Sequence, residues 1–562
     1  MVRTAAPAPP RATPSLAPRT RPLPADTAGA TVQALGLATL VALGLIVRLW
    51  VWGASDELNA DEALPGLMAR HIAAGEELPV FFYGQHYFGA VEAYLIAALF
   101  SVFGFRPWLA IVPPLVASLA LIPITFALAH HLAGRPAAWL AALPVAFPPP
   151  MLARLYTNSG GGFSLAFALH GVALLCYLRA FLPPPPPRAA ASPRSPMASM
   201  AWGAAFSLIS GLLCWIWQPA LALYPVLLAL LWWRRPSLRH SWRFALVVAP
   251  VLVGLAPPLL YNLYHGWPSA TQLVRKYGAV PGTEAAPGIG SGSQALGSLL
   301  LIAFGGGNEA EGGVNPLQGA LVATAFPLTL LLLRAAPQWR PDRWRAAWLL
   351  ALVAAVDAIA AHGTVRHLAP VAHLGFAFAG AAVALLAGRL PAPRLVRYAG
   401  AALTGLVVFV VPNVWLDAHA AGLFQRFVAG RGDVRAAVAA LDARGLTTGY
   451  ADYWTAYPVA YFSAERIALD PSVATIWGER VDRYPAGTGR VHSVGDLSRL
   501  FLLLDDRCSP LPYLLPLEQE EAAYRLEHVA RWYLLWDIRP PPDATDRTMV
   551  KWYRVIISRA HC

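Results

Sequence analysis

Long apolar stretches recur along this chain at lengths that match a lipid bilayer, and no other feature restricts its folding as strongly. They fall at about 33–52, 107–130, 136–153, 163–182, 201–217, 219–233, 244–263, 315–333, 346–361, 368–388 and 398–416, with a shorter one at 88–103. A hydrocarbon core needs roughly 20 helical residues, with a floor near 17, because each backbone N–H and C=O must be satisfied within its own segment. By that measure 201–217 and 219–233 are marginal. Charge is scarce in the same region. Of 43 basic and 31 acidic side chains, 34 lie in the last 145 positions and 40 are spread over the first 417. The pattern predicts an all-α polytopic membrane domain over 33–417 and a soluble domain of ordinary polarity over 418–562. It excludes a disordered chain and argues against an ordinary soluble enzyme.

The formal charge of +12 would suggest nucleic acid if the basic residues shared one soluble face. Instead most stand in short Arg runs between apolar stretches. Arg179, Arg188 and Arg194 flank the Pro-rich linker 183–187, and Arg234, Arg235, Arg239 and Arg243 follow. Arg334, Arg340, Arg343 and Arg345 form the next run, then Arg389, Arg394 and Arg397. Basic residues in short loops stay on the cytoplasmic side. Placing all these runs inside puts the loops 54–87, 155–162, 264–313 and 362–367 outside, together with the domain from 418. His130, His131 and Arg135 mark an inside turn between 107–130 and 136–153, so 88–103 lies along or dips into the outer face. About eleven spans result, in the cytoplasmic (inner) membrane.

Residues 1–32 read as a Pro- and Arg-rich cytoplasmic tail, and 33–51 as a retained first helix instead of a cleaved signal. Cys176 and Cys214 lie in apolar stretches and are expected to be small core residues. Cys508 and Cys562 could pair if the last domain is outside the cell. That domain reads as α/β: an amphipathic helix at 434–444 closed by Gly445, a strand at 448–451, and strand-like segments at 499–504 and 551–557.

The loop 54–87 concentrates chemistry. Asp56, Glu57, Asp61 and Glu62 fall within seven residues directly after a span. Such a cluster suits proton abstraction from an acceptor or a divalent ion, while acids at a helix N-terminus also serve as plain caps. Arg366, at the outer end of a span, can hold a phosphate bidentately, or it can simply snorkel to the headgroups. Arg275 and Lys276 lie in the outer loop 264–313, whose Gly-rich parts suit a mobile lid or a plain linker. Asp357, inside 346–361, is an ionisable residue in a span and so a functional candidate by default.

The loop continues through Ala69-Arg70-His71-Ile72, Gly75, Leu78-Pro79 and Tyr83-Gly84-Gln85-His86-Tyr87-Phe88-Gly89. With Asp61-Glu62 before it, this run resembles the GT-C membrane glycosyltransferases. The likeness is to their bacterial branch related to protein mannosyltransferases and aminoarabinose transferases. Asp56-Glu57 is the competing register for the acidic pair. Arg366-His367-Leu368-Ala369-Pro370 is similar to the family's Arg-Tyr-Leu-x-Pro signature, with His where Tyr is usual. The segment 449–457 with Ser463-Ala464-Glu465-Arg466 looks like the outer domain of bacterial members. The loop Arg154-Leu-Tyr156-Thr-Asn158-Ser159-Gly160-Gly161-Gly162 departs from the family, since many members carry a second acid there. Asn158 or Arg154 could substitute.

The resemblance implies transfer of a sugar from a polyprenyl-phosphate donor to a glycan, lipid or protein acceptor on the outer membrane face, with inversion. Asp61 would be the base, with Asp56 in the competing register, and Glu62 would hold Asp61 or the acceptor. Arg366, His367, Arg275, Lys276, Tyr83 and Arg154 would bind substrate, and a divalent cation is a candidate cofactor. The rivals are a multi-span transporter or flippase and a non-enzymatic envelope-assembly protein. Against transport, the spans show no two-fold repeat.

Overall fold

The structure is a computed structural model that describes residues 27–53, 58–182, 196–217, 220–234, 242–277, 316–335, 341–360, 369–415, 434–471, 499–505, 514–515, 517–518 and 521–539. The apolar stretches fold as helices. In chain order these are α1 (Thr27–Gly53), α2 (Ala60–Ala74), α3 (Val91–Phe103), α4 (Val112–Ala133), α5 (Arg135–Ala146), α6 (Pro150–Thr157), α7 (Phe163–Phe181) and α8 (Pro196–Ile216). They continue as α9 (Ala220–Arg234), α10 (Trp242–Val248), α11 (Pro250–Tyr264), α12 (Pro268–Tyr277), α13 (Pro316–Arg334), α14 (Pro341–Ala360), α15 (Ala369–Arg389) and α16 (Arg394–Gly405). A short hairpin, β1 (Phe81–Phe82) and β2 (Gln85–Gly89), separates α2 from α3.

Six helices among the described residues are long and apolar enough to cross a membrane: Gly29–Gly53, Pro107–Ala133, Phe163–Phe181, Met197–Ile216, Ala369–Arg389 and Arg394–Trp415. The stretch at 201–217, marginal in sequence, belongs to a helix of 21 residues because the turn before it is also helical. Prolines account for the shorter pieces. The stretch 136–153 divides into α5 and α6 at Pro148-Pro149-Pro150, and 244–263 breaks between α10 and α11 at Pro250. The helix at 88–103 has 13 residues, too few to span. α15 is the hub, packed against α4, α5, α13, α14 and α16, with 83% of its apolar window buried. α1 is peripheral, with 28% of its window buried. Cys176 and Cys214 are buried and free, as core residues should be.

The C-terminal part folds as α17 (Val434–Ala443), β3 (Thr448–Ala451), α18 (Tyr453–Phe462), β4 (Ala468–Asp470), β5 (Leu500–Asp505), β6 (Ala523–Val529) and β7 (Trp532–Arg539). One five-stranded sheet results, in the order β4-β3-β5-β7-β6. β3 runs parallel to β4 and β5, while β7 is antiparallel to β5 and β6. Alternate residues of β5 serve opposite faces: Phe501 and Leu503 pack with α17, and Leu500, Leu502 and Leu504 pack with Leu514 and Leu517. Burial on both faces explains its unbroken apolar run. The expected strand at 551–557 and the Cys508–Cys562 pairing lie outside the described residues.

Candidate active site

The acidic pair opens α2, and the helix start sorts its two carboxylates. Asn59 is the N-cap, and its side-chain oxygen accepts the Glu62 N–H at 3.0 Å. Glu62 completes a capping box: Oε2 accepts the Asn59 backbone N–H at 2.9 Å and Oε1 accepts from Asn59 Nδ2 at 3.0 Å. The loop after α6 adds to this. Asn158 Nδ2 donates to Glu62 Oε1 at 2.5 Å, and Ser159 Oγ donates to the Glu62 carbonyl at 2.8 Å. Asn158 is held in turn by the Gly160 N–H donating to its Oδ1 at 2.5 Å. Glu62 is therefore buried, 6% exposed, with both oxygens engaged by amide donors. Asp61, one position earlier, emerges about 100° away around the helix. It is half-buried, and its Oδ1 accepts the Tyr453 hydroxyl at 2.8 Å.

Tyr453 belongs to the C-terminal part, whose α18 lies along α2. Midway, the Tyr461 ring crosses Gly66 so closely that a β-carbon there would overlap it. The Tyr461 hydroxyl donates to the Pro107 carbonyl at 2.9 Å. Beyond α18 the backbone turns back through two non-glycine residues in the left-handed region, Ala464 (φ 52°) and Glu465 (φ 58°). That conformation is unfavourable for L-residues, so surrounding contacts must impose it. They do: the Glu465 carboxylate meets Arg70 Nη1 at 2.6 Å and His71 Nε2 at 2.9 Å. His71 Nδ1 lies 2.7 Å from the Tyr83 hydroxyl and 3.2 Å from Glu77. Burial disfavours charge on His71, but Glu465 and Glu77 outweigh it and hold its pKa above the ordinary imidazole value.

A second loop closes on the same end. On α12, Gln272 Oε1 accepts the His86 backbone N–H of the hairpin at 2.7 Å. His86 stacks on Tyr261 with centroids 5.7 Å apart, and Tyr261 stacks on His265 at 4.1 Å. Burial first, and the neighbouring His265 second, keep His86 below its ordinary pKa. Glu92, at the start of α3, is 2% exposed, and its Oε2 accepts the Gly162 N–H at 2.7 Å.

The structure thus gathers Asp61, Glu62, Tyr83 (through His71) and the 158–160 loop at one end of the bundle. Arg154 is half-buried on α6, one turn before Asn158. Arg275 and Lys276 lie on α12, which packs against β2, but their side chains are outside the described residues. Asp56, Arg366 and His367 also lie outside them. Sequence reasoning passed over several partners. Asn158 was weighed as a stand-in for an acid, and it binds one instead. Tyr453, His71 and Glu465 stood in the quoted segments without roles, and no local signal joins positions 394 residues apart. Glu92 and Arg48 did carry a signal, each being a lone charge in an apolar run. Arg48 is fully buried, donating to Ser118 Oγ at 2.9 Å and to the Val145 carbonyl at 2.9 Å. Asp357 is likewise fully buried, 3.2 Å from His170 Nε2 but without hydrogen-bond alignment.

Among the described residues no group of three or more His, Cys, Asp or Glu side chains is disposed to hold a metal ion. The amide donors on Glu62 also compete for the oxygens a cation would need.

Neither a protein-family model nor a curated protein sequence matches the chain. Solved structures do. ArnT from Cupriavidus metallidurans bound to undecaprenyl phosphate is 16% identical with a TM-score of 0.59, covering 91% of this chain and 98% of that one. Its apo form gives 0.58 over 90% and 98%. The oligosaccharyltransferase AglB from Archaeoglobus fulgidus, in complex with an inhibitory peptide and a dolichol-phosphate, is 12% identical with a TM-score of 0.50, covering 92% and 75%. At such identities the likeness is one of fold. The chain shares its fold with ArnT and AglB.

Proposed function

We propose that this protein is a membrane glycosyltransferase that moves a sugar from a polyprenyl-phosphate donor to an acceptor hydroxyl or amine on the outer face of the cytoplasmic membrane. The half-buried Asp61 carboxylate carries the reading, standing on a fold shared along nearly its whole length with ArnT bound to undecaprenyl phosphate. Asp61 takes the acceptor proton as the acceptor oxygen or nitrogen attacks the anomeric carbon. The bond from that carbon to the phosphate oxygen breaks on the opposite face, with inversion. The electron pair leaves on the lipid phosphate, which needs no proton. Arg366 with Arg275 or Lys276 is assigned the cationic clamp that stabilises the departing phosphate, and His367, Tyr83 and Arg154 the remaining substrate contacts. Glu62, bonded to Asn59 and Asn158, fixes the start of α2 and so the aim of Asp61. In this topology 33–417 is the catalytic membrane domain and 418–562 lies outside.

The test is transfer from a radiolabelled polyprenyl-phosphate sugar by purified protein in detergent or liposomes. Wild type transfers label, while Asp61→Ala loses about 10²–10⁴-fold in rate, the contribution of a positioned base. Full activity in Asp61→Ala would remove it as the base and turn attention to Asp56.

A further inference from the structure

We infer that Tyr453 is a positioning residue for Asp61, and that the C-terminal domain thereby completes the catalytic centre from outside the membrane bundle. The inference rests on the glycosyltransferase reading above. Its starting point is the hydrogen bond from the Tyr453 hydroxyl to Asp61 Oδ1, 2.8 Å long and spanning 392 positions of sequence.

The tyrosine is fixed from the side of its own domain. It is the first residue of α18 and 1% exposed. Asp452 caps that helix, accepting the Trp454 N–H at 2.8 Å and the Thr455 N–H at 3.2 Å, and also the Thr455 hydroxyl at 2.6 Å. Thr455 Oγ1 in turn accepts from Trp532 Nε1, on β7 of the sheet, at 3.3 Å. Edge contacts of the Tyr453 ring with Tyr457 and Trp454, both at 5.1 Å, leave it little freedom to turn. Sheet, cap and phenol form one connected path ending on the carboxylate.

Asp61 is fixed differently. Glu62 has both oxygens tied by Asn59 and Asn158, which sets the helix start, whereas the Asp61 carboxylate accepts at Oδ1 from a phenol of another domain. A hydroxyl held rigidly by that domain favours one orientation of the carboxylate. Two further contacts maintain the register of α18 on α2: the Tyr461 ring on Gly66 and Glu465 on Arg70 and His71. A carboxylate aligned in advance of the attack lowers the barrier without tightening substrate binding, so the effect belongs in kcat.

The experiment is steady-state transfer by the full-length protein carrying Tyr453→Phe, which deletes one oxygen and keeps the ring packing. The expected result is a kcat about tenfold to a hundredfold lower, with KM for the polyprenyl-phosphate sugar within about twofold and Tm nearly unchanged. The loss disappears when Tyr453→Phe is added to Asp61→Asn, because the phenol acts through that carboxylate. Gly66→Ala, which wedges α18 away without touching either group, reproduces the kcat loss. Wild-type kcat in Tyr453→Phe, or an equal loss in the Asp61→Asn background, overturns the inference. A readout independent of transfer is carbodiimide labelling of Asp61 followed by mass spectrometry. Labelling rises severalfold in Tyr453→Phe, and unchanged labelling overturns the positioning role whatever the transfer assay gives. If wild type transfers nothing while the labelling responds, the functional reading fails and the Tyr453–Asp61 coupling stands.

Discussion

Two carboxylate sites of the charge-poor half invite comparison. The pair Asp61–Glu62 at the bundle end is met by donors from three separate parts of the chain: the N-cap, the loop after α6 and the C-terminal domain. Asp357, inside α14, is fully buried and has His170 at 3.2 Å, yet neither of its oxygens has an aligned hydrogen-bond donor among the described residues. An ionised carboxylate is stable where donors surround it and costly where they do not. The first site surrounds its carboxylates with donors. The second leaves its carboxyl buried beside a single imidazole contact at 3.2 Å among the described residues.

The largest expected difference is in catalysis. Asp61→Ala loses about 10²–10⁴-fold in transfer, whereas Asp357→Asn, in a pair that serves the fold, stays within about threefold of wild type. The next difference is in stability. His170→Leu takes the imidazole away from the buried Asp357 carboxyl and lowers stability by about 1–3 kcal/mol in thermal or denaturant unfolding, and adding Asp357→Leu restores most of it. An unchanged Tm in His170→Leu would show that the contact adds nothing to the fold. At the outer site, Asn158→Ala removes one donor to Glu62 and lowers stability by about 1–2 kcal/mol, with a kcat loss smaller than that of Asp61→Ala.

The smallest effect is a pH dependence. His71 has a raised pKa in the docked state, so its contribution is complete below the ordinary imidazole value near 6.5. It is lost as pH climbs through the higher docked value. Docking of α18 on α2, followed by protease sensitivity or Tm between about pH 6 and 9, therefore weakens toward the alkaline side. His71→Gln removes that slope.

Apolar length was enough to locate the helices, because the bilayer imposes one dimension on every helix that crosses it, and six of those described, against about eleven stretches expected to span, are long and apolar enough to cross. It misled where prolines interrupt a stretch, as at Pro148–Pro150 and Pro250, since hydropathy averages over a break that backbone chemistry enforces. Of the site, Asp61 and Glu62 were visible as charge where charge is rare. The cap reading holds for Glu62, and Asp61 is the base this account proposes. What pairs with them was not visible. Tyr453 and Glu465 reach α2 across 392 and 394 positions of sequence, and no local pattern encodes a contact made by docking.

The central claim is that chemistry resides in Asp61, at the bundle end, and not in the buried Asp357. Its most direct test measures transfer from a polyprenyl-phosphate sugar side by side for wild type, Asp61→Asn and Asp357→Asn, each purified and checked for an unchanged Tm. The account predicts transfer by wild type and by Asp357→Asn, with at least a hundredfold loss in Asp61→Asn. Transfer retained in Asp61→Asn and abolished in Asp357→Asn would contradict it.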